Sequence, residues 1–175
     1  MKKTASTGLI VFTALFAALI FVVTAYLFHI PTPVTGGYIH LGDAFLYLAA
    51  SILPLPYAVA AGGIGEALSD GLTGSVVYVL PTLLIKSVMV LCFASAAKSI
   101  VTKRNLIACA AAGGICVAGY YLTEVILLGS FAAPVAEIPG NLIQAAASAV
   151  IYILVGRAFD RMKLKSRLAV MVKQH

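Results

Sequence analysis

Long apolar runs separated by short polar or Pro/Gly-bearing breaks divide this 175-residue chain into six segments. Runs of about 17 to 25 residues are long enough, as helices, to cross roughly 30 Å of hydrocarbon, and they predict an all-α, polytopic membrane bundle. The six spans extend from about Ser6 to Phe28, Leu41 to Leu53, Tyr57 to Asp70, Ser75 to Ala97, Leu106 to Leu128 and Asn141 to Phe159. The second is short for a full crossing, so it is expected to start below the membrane surface. Before it, over about residues 29–41, Pro31 and Pro33 stop any helix while Gly36 and Gly37 permit tight turns. This stretch predicts an ordered or hinged lid against the bundle. No repeat and no long linker divides the chain, which forms a single membrane domain ending in a tail over about residues 160–175.

Composition excludes the soluble classes. The chain is 62% hydrophobic and 10% charged, with a mean hydropathy of +1.05, which leaves too little charge for a water-facing surface. The apolar run after Met1, Lys2 and Lys3 exceeds the roughly 7 to 15 residues of a signal peptide and lacks a small-x-small cleavage site, so it is retained as a span. Cys92, Cys109 and Cys116 lie inside apolar segments without a CxxC pattern, and neither a metal nor another cofactor is expected. The glycine-rich GGIGEALSDG lacks the GK[ST] of a phosphate loop, and no HExxH or nucleophile elbow is present. The chain is therefore not expected to hydrolyse ATP, or to be an enzyme.

The net charge of +6 has a membrane explanation and does not call for nucleic acid. Apart from Lys86, the basic residues fall at Lys2 and Lys3, at Lys98, Lys103 and Arg104, and from Arg157 to Lys173. With six spans these groups share one side, so the positive-inside rule places both termini in the cytoplasm and the lid outside. At about 1.5 Å of rise per residue, Glu66 and Glu124 lie roughly 7 Å below the outer surface and Lys86 roughly 16 Å. His40, Asp43, Asn141 and Gln144 also belong to the outer half, leaving the cytoplasmic half greasy.

Charged groups in a bilayer almost always face protein or water, so this concentration under a lid predicts a pocket open to the outside. Tyr38, His40, Asp43, Glu66, Lys86, Tyr121, Glu124, Asn141 and Gln144 are its candidate contacts. Three carboxylates against one lysine disfavour a multiply phosphorylated ligand and favour a neutral, zwitterionic or weakly basic one. Tyrosines, including Tyr47, Tyr78 and Tyr120, offer flat faces for a heteroaromatic ring. Competing structural readings make Asp43 a helix N-cap and pair Lys86 with Glu66 or Glu124. A competing functional reading is a stand-alone secondary carrier in which Glu66 or Glu124 moves a proton. On the first span, Ala14 and Ala18 place two small side chains on one face, where another helix can approach closely.

Three stretches, GGYIHLGDAFLYLAA, GGIGEALSDGLTGSVVYVLPTLLIKSVM and PGNLIQ, in a six-span chain of this size, resemble the substrate-binding S component of an energy-coupling-factor (ECF) vitamin transporter. The similarity is to the riboflavin-type group, which also includes hydroxymethylpyrimidine or pyridoxine carriers. The resemblance implies a prokaryotic plasma-membrane protein that binds a water-soluble vitamin or similar heterocycle. It implies that the lid closes over the solute, and that the Ala14/Ala18 face docks on a transmembrane coupling subunit driven by two ATPase subunits. Toppling of the S component in the bilayer is the transport step it implies.

Overall fold

The structure is a computed structural model that describes residues 7–32 and 35–173. Lys2, Lys3, Ser6 and Pro33 lie outside the described residues. Helix α1 (Thr7–Tyr26) leads into a hairpin of two-residue strands, β1 (Ile30–Pro31) and β2 (Tyr38–Ile39), and then into α2 (Gly42–Ile52) and α3 (Leu55–Thr73). A 3-10 turn at Val76–Tyr78 precedes α4 (Val79–Leu91), and α5 (Lys103–Leu128) follows an irregular segment. A second 3-10 turn at Ala133–Glu137 opens α6 (Ile138–Arg161), and α7 (Leu164–Lys173) forms the tail.

Three helical segments, Thr7–Tyr26, Lys103–Leu128 and Ala133–Arg161, are long and apolar enough to cross a membrane, while Gly42–Ile52 and Val76–Leu91 are apolar but shorter. Their outward faces carry large apolar side chains such as Ile107, Ile126 and Leu154, 64–81% exposed, as a lipid-facing surface requires. The lid differs from a plain loop: Ile30 pairs with Ile39 and Pro31 with Tyr38 in an antiparallel ladder. Gly36, at φ +72°, closes its turn.

The expected fourth span, Ser75 to Ala97, is cut back to Leu91. Asn105, expected in the following loop, instead lies buried in the first turn of α5, where the Thr102 side chain caps the helix by accepting from its N–H. From there Asn105 takes up the backbone that the shortened α4 leaves unpaired. Its Oδ1 accepts from Ala94 N at 3.1 Å, and its Nδ2 donates to Ala94 O at 3.0 Å and Ile100 O at 3.1 Å.

The bundle is assembled around α2, in which every residue except Phe45 is buried. Below the lid end, Tyr47 stacks on Phe93 at 5.0 Å, and Tyr152 meets both rings edge-on at about 6 Å. Helix α1 lies against α3 because Gly65 has no side chain: a Cβ there would stand 2.8 Å from Ala17 O. The expectation of a greasy half away from the lid is corrected by a second polar cluster at that end. Ser51 Oγ bonds Tyr152 Oη at 3.0 Å and accepts from Asn105 Nδ2 at 3.1 Å. The Asp160 carboxylate accepts from the Ile100 and Val101 amides at 2.7 and 3.0 Å.

Candidate functional site

At the lid end, the first turn of α2 brings Asp43 against Lys86 of α4, with Nζ 2.6 Å from Oδ1 and both side chains sealed from solvent. Gln144 of α6 donates its Nε2 to the other Asp43 oxygen at 2.8 Å. Asp43 makes no side-chain cap to its helix. Lys86 is paired with neither Glu66 nor Glu124, so both structural readings of these residues give way to this one. The pair is the floor of the site and not its lining, since a buried ion pair is tolerable only when each charge keeps a partner. The Lys86 ammonium also lies 5.4 Å from the centre of the Tyr120 ring.

Glu66, on α3, is the next layer. Thr24 donates its hydroxyl to Glu66 Oε2 at 3.0 Å, and His40 Nε2 stands 3.6 Å from the same oxygen. The approach depends on Gly42, because a Cβ there would come 1.8 Å from Thr24 Oγ1 and 2.7 Å from Glu66 Oε1. Gly42 N–H donates to His40 Nδ1 at 3.1 Å, which assigns the ring proton to Nε2, facing Glu66. Burial first, then the Lys86 charge, push the His40 pKa down to about 3, so the imidazole in this connector is neutral.

Hydrogen bonds to the bundle hold the lid over these groups. Tyr38 donates its hydroxyl to Asp70 Oδ1 at 2.7 Å, Tyr78 donates to Thr35 O at 3.0 Å, and His40 N–H donates to Gln144 Oε1 at 3.0 Å. Gln144 thus bonds lid and floor with one amide. Beneath the lid is a pocket with about 420 Å3 of space not filled by atoms, its open mouth included. Its acidic lining is Glu66, Asp70, Glu124 and Glu137; its rings are Tyr38, Tyr78, Tyr120 and His40; and Asn141, Gln144 and Thr82 add neutral polar groups. Side chains break up the space, which as it stands is too small to hold a ring-sized solute.

Of the residues singled out from sequence, Tyr38, His40, Glu66, Glu124, Asn141 and Gln144 line this pocket. Asp43 and Lys86 lie directly beneath it. Tyr121 turns away: its hydroxyl donates to Phe131 O in the α5–α6 connection at 3.1 Å, and its neighbour Tyr120 faces the pocket instead. Asp70 and Glu137 were not anticipated. Asp70 follows Glu66 by four residues on α3, a spacing that puts both on one helix face and was legible in principle. Glu137 sits in the connection between α5 and α6, outside the apolar runs. Ala14 and Ala18 are exposed and line an apolar groove between α1 and α3, with Ala17, Ala60 and Ile64 among its other walls.

A helix bundle with apolar outer faces and a lidded polar pocket at one end defines a membrane protein that holds a small solute. The chain matches the family described as ECF-type riboflavin transporter, S component, over residues 4–161, and it belongs to that family. No curated protein sequence matches it. Family membership makes it a substrate-binding transport subunit and not an enzyme. S components of ECF transporters pair with a coupling subunit and ATPases.

Proposed function

We propose that the chain crosses the plasma membrane of a prokaryote six times, with both termini cytoplasmic, and captures a water-soluble vitamin or related heterocycle from outside. Riboflavin, pyridoxine and hydroxymethylpyrimidine are the reference chemistries. The observation that carries this reading is the pocket under the latched hairpin, which gathers Tyr38, His40, Glu66, Glu124, Asn141 and Gln144 at one end of the helix bundle. Asn141 and Gln144 read a ring edge or hydroxyls, and the tyrosines supply flat faces. Asp43 and Lys86 act by holding the floor in place through Gln144.

Opening of the lid admits the solute, and its latches close over it. The exposed Ala14 and Ala18, with the groove beside them, form the face on which the coupling subunit docks, because small side chains let a foreign helix come close. Two ATPase subunits supply the energy. Calorimetry of the purified chain against a vitamin panel tests the reading. At least one member binds at submicromolar Kd, and Glu124→Gln weakens that binding about tenfold or more, the scale of one lost charged hydrogen bond. Absence of binding by any member to folded protein overturns it.

A further inference from the structure

Resting on that reading, we infer that the pocket selects an organic cation: a flat ring bearing ammonium or amidinium N–H groups, in preference to a neutral ring or one carrying phosphate or carboxylate. The chain has six acidic side chains, and four of them, Glu66, Asp70, Glu124 and Glu137, line this one pocket. Among the described residues no lysine or arginine lines it. Lys86, beneath it, is fully buried against Asp43. An anionic solute would meet four acidic side chains and, among the described residues, no lysine or arginine in the lining to offset them.

Independent of charge, the hydrogen-bond inventory points the same way. Among the described residues Glu66 Oε1, Asp70 Oδ2 and Glu124 Oε2 are buried without a well-formed hydrogen bond, in residues only 1, 4 and 4% exposed. Buried carboxylate oxygens are ordinarily bonded, and three orphans in one lining mark the places where a solute supplies donors. Among the described residues no three such groups converge closely enough to hold a metal ion. The orphans suit N–H groups spread over a ring and not a point charge. Tyr38, Tyr78 and Tyr120 complete the fit, since aromatic faces attract organic cations.

The test is calorimetry on the purified full chain with probes matched in shape and differing in charge. Pyridoxamine against pyridoxine exchanges an ammonium for a hydroxyl on one ring. Thiamine, riboflavin and pyridoxal 5′-phosphate add a fixed cation, a neutral ring system and an anion. The expected result is that a cationic probe binds tightest, that pyridoxamine exceeds pyridoxine by tenfold or more, and that Glu66→Gln and Asp70→Asn each reduce that ratio. The wild-type panel decides the matter even where a variant fails to fold. Tighter binding of pyridoxine, riboflavin or the phosphate overturns the inference and leaves the solute-binding reading standing. A folded chain that binds none of the probes overturns both.

Discussion

Asp43 and Ser51 lie about two turns apart on α2, and each anchors a buried polar cluster. The two clusters are finished differently. Around Ser51, the hydroxyl of Tyr152, the amide of Asn105 and the backbone of residues 94–101 satisfy one another, and none of the Ser51, Asn105 or Tyr152 side-chain atoms is left over. Around Asp43 the inner ion pair is equally closed, but the layer above it leaves carboxylate oxygens of Glu66, Asp70 and Glu124 without a well-formed hydrogen bond among the described residues. A closed network rigidifies a fold, whereas an open one stores unspent bonding capacity that a solute can use. The difference separates the part of the molecule that holds shape from the part that recognises.

Substitutions at the two ends sharpen or break this contrast. The largest effect belongs to Lys86→Met, which strands the Asp43 carboxylate in the interior and destabilises the fold by about 3–5 kcal/mol. Adding Asp43→Leu recovers part of that loss, as thermal melting in detergent will show, because the penalty is for an unpaired charge more than for a lost attraction. Next comes Asn105→Ala, which orphans Ala94 and Ile100 backbone groups at a cost of about 2–3 kcal/mol. Its solute affinity, measured by calorimetry below the melting temperature, stays within about twofold of wild type; a tenfold loss would erase the distinction between the clusters.

The smallest effect concerns His40. Its pKa falls from 6.5 unfolded to about 3 folded, so below pH 6.5 the unfolded chain binds more protons than the native one. The stability it contributes is complete above pH 6.5 and is lost progressively toward pH 3. At pH 5.5 the loss is on the order of 1 kcal/mol, and it is absent in His40→Gln; melting temperature against pH for the two proteins is the measurement. A wild-type profile as flat as the variant's would mean that the imidazole does not stay neutral.

How far the sequence could be read depended on the kind of question. Lengths of apolar runs fixed where helices α1, α5 and α6 lie, because burial in hydrocarbon tolerates few alternatives. Glu66, Glu124 and Gln144 stood out because polar groups are costly in an apolar span. Pairing is not legible: the sequence offers Glu66 or Glu124 to Lys86, and the packing of α2 against α4 and α6 gives it Asp43 instead. Tyr120 and Tyr121 differ by about 100° around the helix, and only the neighbouring elements decide which faces inward. Asn105 falls outside the apolar runs, beside the charged Lys103 and Arg104, although its value lies in bonding the irregular segment that precedes it.

Helix α2 is screened from lipid along nearly its whole length. Bilayers that are thinner or thicker than average act on a protein through the tilt of helices that touch acyl chains. The distance between Asp43 and Ser51 is therefore insulated from lipid composition, while α1, whose outward side chains do touch the surroundings, is not. Capture of a solute should be indifferent to the host membrane, and assembly with partner subunits should not.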